Sequence, residues 1–152
     1  MQKIRGFSMI EILITFVIMA VGLLGLAGMQ NVNLKNVNNT QYRTLATIFA
    51  YDMAERMRSN RDGLGAYNGI DGSETDPNCT TCNATEMAQL DAFQWNQAIG
   101  ASVVDGGMSE GAVGTVSSNG NLWDIKVSWP EQTRDQSGGK IETKEFTLSI
   151  RI

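Results

Sequence analysis

The sequence contains no histidine. Histidine is the usual general base near neutral pH and a frequent ligand of catalytic zinc. Its absence excludes Ser-His-Asp triads, imidazole bases and histidine metal sites. The only two cysteines, Cys79 and Cys82, cannot complete a four-ligand zinc site by themselves. We therefore expect no enzyme activity, no cofactor and no metal centre.

Aromatic and basic residues are also scarce. Aromatic residues make up 7% of the chain, whereas glycine occurs 16 times, so the globular part has few large side chains for a core. There are 12 basic and 16 acidic residues, which gives a formal charge of −4. Nucleic-acid-binding surfaces are basic, so we expect no nucleic-acid partner, and a DNA-uptake role is disfavoured. The length of 152 residues suffices for one modest domain beside a membrane helix.

The chain does have one long apolar run, from Met9 to Met29. About 20 apolar residues are needed for a helix to cross a bilayer, so this run predicts a membrane-spanning helix. Lys3 and Arg5 precede the run, and the next basic residue is Lys35. Positive charges stay on the cytoplasmic side of a membrane. We therefore expect a cytoplasmic N-terminus and an exported C-terminal part.

Glu11 places a carboxylate inside this apolar run. A charged side chain costs about 3 kcal/mol in the centre of a membrane helix, so an ionisable residue there is a candidate for function. A conventional signal peptide is the alternative, but such a signal ends in a small-residue cleavage site. Ala27-Gly28 offers only a weak site of that kind. We therefore favour a retained helix over a cleaved signal peptide.

The residues around Glu11 read Gly6-Phe7-Ser8-Met9-Ile10-Glu11. This motif resembles the class III leader of type IV prepilins. The resemblance implies that a prepilin peptidase removes residues 1–6 by cutting after Gly6, and that the new N-terminal residue, Phe7, is methylated. It also implies that Glu11, the fifth residue counted from Phe7, acts in subunit assembly.

Helix geometry gives Glu11 a role on independent grounds. A helix rises ~1.5 Å per residue, so Glu11 would lie ~6 Å from the α-amine of Phe7. A carboxylate buried in lipid or in a packed fibre needs a cation, and a free α-amine is the nearest one. The resemblance points to the amine of a neighbouring subunit, which would set the subunit register.

Three glycines, Gly22, Gly25 and Gly28, interrupt the second half of the apolar run. Each glycine in a helix interior costs ~1 kcal/mol relative to alanine. One interpretation is that small residues allow close packing of membrane helices. The other, implied by the pilin resemblance, is that this segment partly unwinds in a fibre. The sequence leaves both interpretations open.

The helix is predicted to start at Ser8 and to continue to about Ser59. No proline or glycine interrupts residues 30–59, and apolar residues then recur at three- and four-residue intervals, at Leu45, Ile48, Phe49, Met53 and Met57. The last turn carries Arg56 and Arg58, and cations suit the negative C-terminal end of a helix. Contact of these arginines with DNA or a partner is the alternative interpretation.

The stretch from Leu45 to Asn60 reads LATIFAYDMAERMRSN. It resembles the end of the long helix in minor pilins of the PilV type, the type IV pilus modification proteins. The pair Asp91 and Trp95 also resembles this group. The resemblance implies a minor pilin that helps initiate type IV pili and supports twitching motility and adhesion. The implied partners are other minor pilins, the major pilin, a tip adhesin and the inner-membrane assembly platform.

Residues 62–83 contain several glycines and predict a loop. Asp71, Glu74 and Asp76 in this loop do not have the spacing of an EF-hand, so we favour a solvated acidic loop over a calcium site.

The loop ends with Cys79-Thr80-Thr81-Cys82. An exported domain meets oxidising conditions, which favour a disulfide between these cysteines. The alternative is a redox-active Cys-x-x-Cys pair, which in a thioredoxin-like protein would be framed by a βαβ unit that the pattern does not show. PilV-type sequences often carry cysteines in this region, which supports a structural bridge.

The rest of the chain predicts a short helix followed by strands. Asn83 to Glu86 has the pattern of a capping box for a helix to about Gly100, and we expect Trp95 in the core rather than in a partner contact. The further predictions are a weak strand over 111–118, a hairpin turn at Asn119-Gly120, an alternating strand from Trp123 to Trp129 that ends at Pro130, a polar loop over 131–140 and a last strand from Phe146 to Ile152.

Together these elements predict an α+β fold of the type IV pilin kind, with a long N-terminal helix packed on a small antiparallel sheet. The expected parts are a leader (1–6), a membrane-spanning or fibre-core half helix (7–29), an amphipathic half helix (30–59) and a periplasmic head (60–152). We expect the chain first in the bacterial inner membrane and then in a pilus at the cell surface.

Two alternative functions are carried forward. A pseudopilin of a type II secretion system has the same leader and fold, but the pattern from Arg56 to Asn60 favours a pilus subunit. A membrane-anchored thiol-disulfide redox protein would instead use Cys79 and Cys82.

Overall fold

A computed structural model of the chain describes residues 8–108, 110–135 and 138–152. Its elements are helix α1 (Met9–Ser59), a 3-10 helix (Arg61–Tyr67), helix α2 (Ala84–Gly100), a second 3-10 helix (Val103–Asp105) and strands β1 (Val113–Asn119), β2 (Leu122–Asp135) and β3 (Gly138–Ile150). The strands form one antiparallel sheet in the order β1-β2-β3. The predicted α+β fold, a long N-terminal helix with a small antiparallel sheet, is confirmed.

The chain divides after Asn39 into two compact units. The N-terminal unit holds the first part of α1, and its large apolar side chains are exposed, from 43% for Val32 to 82% for Met9. Within the described ranges, α1 is the one helix that is long and apolar enough to cross a membrane. It stays helical through the three glycines at positions 22, 25 and 28.

The second unit, from Thr40 onward, contains the core, and we call this whole unit the head. In this unit the buried residues of α1 are Ala46, Ala50, Met53, Ala54 and Met57, which share one cluster with α2 and the sheet. Of the periodic apolar residues, Met53 and Met57 are thus buried on this face of α1, whereas Leu45, Ile48 and Phe49 are not fully buried.

The structure shows why alanines occupy the centre of that face. Trp95 of α2 is fully buried and its indole nitrogen donates to the carbonyl oxygen of Phe49 at 2.9 Å. Small side chains on α1 leave room for this ring. Ile48 is 57% exposed, whereas Leu45 and Phe49 are partly buried against the core. Trp95 therefore lies in the core, as the sequence predicted.

The capping box of α2 is confirmed. The side-chain oxygen of Asn83 accepts from the backbone nitrogens of Thr85 at 3.0 Å and Glu86 at 2.9 Å. The Glu86 carboxylate accepts from the backbone nitrogen of Asn83 at 3.0 Å. The cap residue and Glu86 thus pair with each other, and backbone donors at the helix start that would otherwise lack a partner are hydrogen-bonded.

The predicted hairpin at Asn119-Gly120 is also present. Asn119 pairs with Leu122, so Gly120 and Asn121 are the two central loop residues. Gly120 has a φ of 64°, which glycine adopts without steric cost. The alternation along β2 is confirmed, because Trp123, Ile125, Val127 and Trp129 are all buried.

The predicted end of β2 at Pro130 is wrong. The predicted polar loop over 131–140 is wrong over 131–135 and 138–140, which are strand, and residues 136 and 137 lie outside the described residues. Strand β2 continues to Asp135 and β3 begins at Gly138, with Pro130 opposite Thr143. Pairing with β1 stops at Ser128, so Pro130 lies where β2 has only one neighbour. A proline is tolerated at such an edge position.

The start of the predicted loop over 62–83 is a 3-10 helix, Arg61–Tyr67. Gly63 lies against the carbonyl group of Ala84, where a Cβ atom would collide, and Tyr67 is fully buried. Further on, Ile70 forms an isolated bridge with Val116 of β1. Glycines that indicate a loop in the sequence thus serve a close approach between elements.

Candidate assembly site

Glu11 lies in the first turn of α1, where its backbone nitrogen donates to the carbonyl oxygen of Ser8 at 3.0 Å. Within the part of the chain that the structure describes, its carboxylate has no ion-pair or hydrogen-bond partner. Most described residues around it are apolar, and Leu13 and Ile14 are more than half exposed, whereas Ser8 and Thr15 are polar. The start of α1 therefore presents one unpaired carboxylate on a mainly apolar surface.

The predicted processing site, Gly6 and Phe7, lies outside the described residues, as does the rest of the leader, residues 1–6.

In the head, the residues of the PilV-type pattern are brought together in one network. The Arg56 guanidinium pairs with Asp52 at 2.9 Å and with Asp91 of α2 at 3.1 Å. The Tyr67 hydroxyl donates to the second oxygen of Asp91 at 2.5 Å. Asn60 donates to the carbonyl oxygen of Ala84 at 2.8 Å. The network therefore ties the end of α1 to the first half of α2.

The charges of this network are held in fixed states. Burial alone would lower the pKa of Arg56, but the two carboxylates of Asp52 and Asp91 raise it above its ordinary value. Burial and the hydrogen bond to Asp91 raise the pKa of the Tyr67 hydroxyl. Arg56 is thus a cation and Tyr67 a neutral phenol near neutral pH, and the arrangement is suited to structure rather than to proton transfer.

Sequence reasoning found some members of the network and missed others. Arg56 was placed at the helix end for its charge, and Asp91 entered only through the family resemblance. Tyr67 was missed because it lies in a stretch without periodicity that was predicted as a loop. Arg58 forms an ion pair with Glu55 on the same helix. Both arginines of the last turn are therefore engaged within the subunit.

The predicted disulfide between Cys79 and Cys82 is present, with 5.2 Å between the two Cα atoms. It directly precedes Asn83, the cap residue of α2. Among the described residues no βαβ unit surrounds it. The bridge therefore fixes the end of the loop at the start of α2.

Two carboxylates of the acidic loop, those of Asp71 and Asp76, are used within the loop. Asp71 accepts from the backbone nitrogen and the hydroxyl of Ser73, which lowers the pKa of Asp71. Asp76 accepts from the backbone nitrogen of Asn78 at 2.8 Å. The described part of the chain has no group of three or more His, Cys, Asp or Glu residues placed to hold a metal ion. These contacts agree with a solvated loop.

Two protein-family models match the sequence. The model of the prokaryotic N-terminal methylation motif matches residues 1–27. The Tt1218-like model, described as type IV pilin Tt1218, matches residues 28–93. The comparison with curated proteins found no match, and neither did the comparison with solved structures.

The two matched ranges adjoin and extend from the leader into α2. Pilins are structural and non-enzymatic subunits, so the redox-protein alternative is set aside. The methylation motif implies processing by a prepilin peptidase and assembly with other pilins. With the long hydrophobic helix and the antiparallel sheet, these matches identify the chain as a type IV pilin-like protein that carries a prepilin methylation motif.

Proposed function

We propose that this chain is a minor pilin of the PilV type, which enters type IV pili and helps to initiate their assembly. Twitching motility and adhesion are the cellular activities that it supports. The observation that carries the proposal is the exposed apolar surface of α1 from Met9 to Met29, on which Glu11 is the one carboxylate.

An apolar surface of this extent needs a cover. Large exposed apolar patches mark interaction with a membrane or with other proteins. Before assembly, the lipid of the inner membrane covers α1. In the pilus, the helices of neighbouring subunits take the place of lipid. The same side chains thus serve two environments without a change in the subunit.

Glu11 makes assembly depend on processing. A carboxylate in lipid or in a fibre interior is costly unless a cation lies beside it. The described residues provide none, and cleavage after Gly6 would create an α-amine on Phe7. In the proposed fibre, the amine of a neighbouring subunit compensates Glu11 and sets the register of the two helices. An uncleaved subunit lacks that amine and would not assemble.

The proposal divides the chain as the sequence suggested. Residues 1–6 are the leader, 7–29 the membrane-spanning or fibre-core half of the helix, 30–59 its amphipathic half and 60–152 the periplasmic head. The basic residues Lys3 and Arg5 hold the N-terminus in the cytoplasm. The partners are the peptidase, the major pilin, other minor pilins, a tip adhesin and the inner-membrane platform.

The network in the head supports the PilV-type assignment. Asp52, Arg56, Asn60 and Asp91 carry the resemblance. Arg56 and Asn60 make contacts from the end of α1 to α2, and Asp52 pairs with Arg56 within α1. A resemblance carried by residues that contact one another supports the PilV type more strongly than one carried by residues that lie apart.

The first test is the mass and N-terminal sequence of the protein from membranes and from sheared surface fibres. In the wild type we expect a chain that starts at methylated Phe7 in the fibres. In Gly6→Ala we expect the uncut chain, confined to the membrane. An uncut wild-type chain that never reaches the fibres would overturn the proposal.

The second test separates processing from assembly. Glu11→Gln should be cut and methylated normally, but its amount in the fibres should fall at least ~10-fold. The substitution removes the interaction of the carboxylate with the α-amine, and a loss of about 1.4 kcal/mol suffices for a tenfold change. Glu55→Gln, which removes a carboxylate from the head part of α1, is the matched control and should assemble normally. Co-purification with the major pilin, rather than with components of a secretion platform, distinguishes a minor pilin from a pseudopilin.

A further inference from the structure

A cavity of about 300 Å³ lies in the head between the acidic loop, α2 and β1. Phe93, Ala112 and Val113 provide its apolar lining, and Glu74 and Gln97 are among its polar lining residues. Its volume is close to the lower end of small-molecule sites. The cavity therefore has room for one side chain of a partner.

Glu74 is held in a defined orientation. One carboxylate oxygen accepts from the backbone nitrogen of Asp71 at 2.8 Å. The other accepts from the backbone nitrogen of Gly72 at 3.1 Å and from the side-chain amide of Asn96 at 3.3 Å. A carboxylate has about four acceptor positions, so one position is left. The three donors are neutral and leave the negative charge in place.

Asn96 joins the three walls of the cavity. Its side-chain oxygen accepts from the backbone nitrogen of Gly114 at 2.7 Å, and its side-chain nitrogen donates to the carbonyl oxygen of Gly114 at 3.2 Å. Gly72 has a φ of 92°, and a Cβ atom there would collide with Val113. The walls are thus set before any ligand arrives, and a preorganised site loses less entropy on binding.

The charge around the cavity calls for a cation. From Asp62 to Ile125 the sequence has nine acidic residues and no lysine or arginine. Within the described ranges no basic side chain pairs with Glu74. Glu74 can therefore take a cation that another molecule presents.

We propose that this cavity binds an arginine side chain presented by a partner protein. The methylene groups of the arginine lie against Phe93, Ala112 and Val113, and its guanidinium group reaches Glu74 and Gln97. Arginine has five donors in a planar fork, enough to serve the remaining acceptor position of Glu74 and the side-chain oxygen of Gln97 together. This inference does not depend on the fibre in which the chain assembles.

The test uses the full mature chain in detergent micelles, labelled with ¹⁵N. The probe is the tripeptide acetyl-Ala-Arg-Ala-amide, and its control contains citrulline, which has nearly the same shape as arginine but no charge. We expect the arginine peptide to shift the resonances of Gly72, Asn96 and Val113 saturably, with a Kd of roughly 1 mM for so small a ligand. Citrulline should bind at least ~10-fold more weakly.

Two matched variants separate the cavity from general electrostatic attraction. Glu74→Gln removes the charge and keeps an oxygen acceptor, and it should weaken binding of the arginine peptide at least ~10-fold. Asp76→Asn removes the same charge from the same loop outside the cavity lining, and it should change the Kd less than ~2-fold, because exposed charges are screened by salt. Circular dichroism checks that both variants are folded.

The proposal is overturned by any of three results. The first is no saturable shift at the cavity, and the second is equal binding of arginine and citrulline. The third is an equal loss of affinity for the arginine peptide in Glu74→Gln and Asp76→Asn. A calcium titration distinguishes another ligand: if calcium chloride alone shifts the same resonances and displaces the peptide, the cavity is a cation site and not an arginine site. None of these results bears on fibre entry, which the shear assay measures.

Discussion

The two parts of α1 use apolar residues in opposite ways. In the N-terminal unit, large side chains such as Leu24 and Phe16 are exposed by 73% and 65%. In the head, small alanines such as Ala46 and Ala50 are fully buried. The larger Met53 in the same part of α1 is fully buried as well, so burial inside this subunit depends on whether other elements cover a side chain and not on its apolarity alone. The exposed large side chains of the N-terminal unit are suited to a cover that comes from outside the chain.

Charges show the same contrast. Glu11 has no partner among the described residues, whereas Arg56 in the head contacts two carboxylates. A single charge in apolar surroundings is costly, but a network that satisfies its members can rigidify a fold. The N-terminal part thus carries an unpaired carboxylate, as the proposed assembly role of Glu11 requires, whereas Arg56 is paired within the head.

The largest expected effect comes from a substitution in the core of the head. Trp95→Ala removes a fully buried ring and its hydrogen bond to Phe49, so we expect a loss of about 4 kcal/mol in the free energy of unfolding. Phe16→Ala removes a ring that is 65% exposed, and it should change the stability of the head by less than about 0.5 kcal/mol. Denaturant unfolding in detergent, followed by circular dichroism, measures both. A similar loss in the two variants would contradict the contrast between the two parts.

Removing the shared carboxylate of the network has the next largest effect. Asp91→Ala leaves the guanidinium of Arg56 with one carboxylate fewer and the buried hydroxyl of Tyr67 without its acceptor. We expect the free energy of unfolding to fall by about 3 kcal/mol, mainly because these groups are left unpaired. The control is Asp62→Ala at an exposed position, which should be nearly neutral. A loss below about 1 kcal/mol for Asp91→Ala would show that the network is not structural.

A glycine pair sharpens the comparison further. A Cβ atom at Gly114 of β1 would collide with the Trp95 ring, whereas one at Gly25 would meet nothing within 4 Å. Gly114→Ala should therefore destabilise the head by about 2 kcal/mol. Gly25→Ala should leave the head unchanged and favour the helix by about 1 kcal/mol. Unfolding of the head and helix content are the two measurements, and equal effects would refute the packing argument.

The smallest effect is a change at alkaline pH. Burial and the hydrogen bond to Asp91 raise the pKa of Tyr67 in the folded state above its ordinary value of 10.0, so the native state holds this proton more tightly than the unfolded state. Its stabilising contribution is full below pH 10.0 and is lost as the pH rises above that value.

Tyr67→Phe should flatten this part of the stability curve and cost about 1 kcal/mol at neutral pH. Tyr51→Phe, at a position that is 52% exposed, should keep the alkaline decline. The measurement is the free energy of unfolding between pH 8 and pH 11 for the three proteins. An unchanged decline in Tyr67→Phe would assign it to other groups.

Local patterns predicted the helices and the disulfide because the determinants lie close together in sequence. The periodicity of α1 and the capping box at Asn83 are of this kind. The extension of β2 beyond Pro130 was not predictable, because it depends on where β1 stops. The contact between Tyr67 and Asp91 and the cavity at Glu74 were missed for a similar reason. Each is assembled from separate elements, and no single stretch of sequence carries its pattern.

The absence of basic residues between Arg61 and Lys126 has a consequence for detection. Trypsin cuts after lysine and arginine, so residues 62–126 leave the digest as one long acidic peptide that contains the disulfide. Such a peptide is easily lost in routine mass spectrometry of fibres. Counts based on tryptic peptides would therefore understate the amount of this subunit in the sample. A protease that cuts at acidic residues, used after reduction and alkylation, gives peptides from the same region and a fairer copy number.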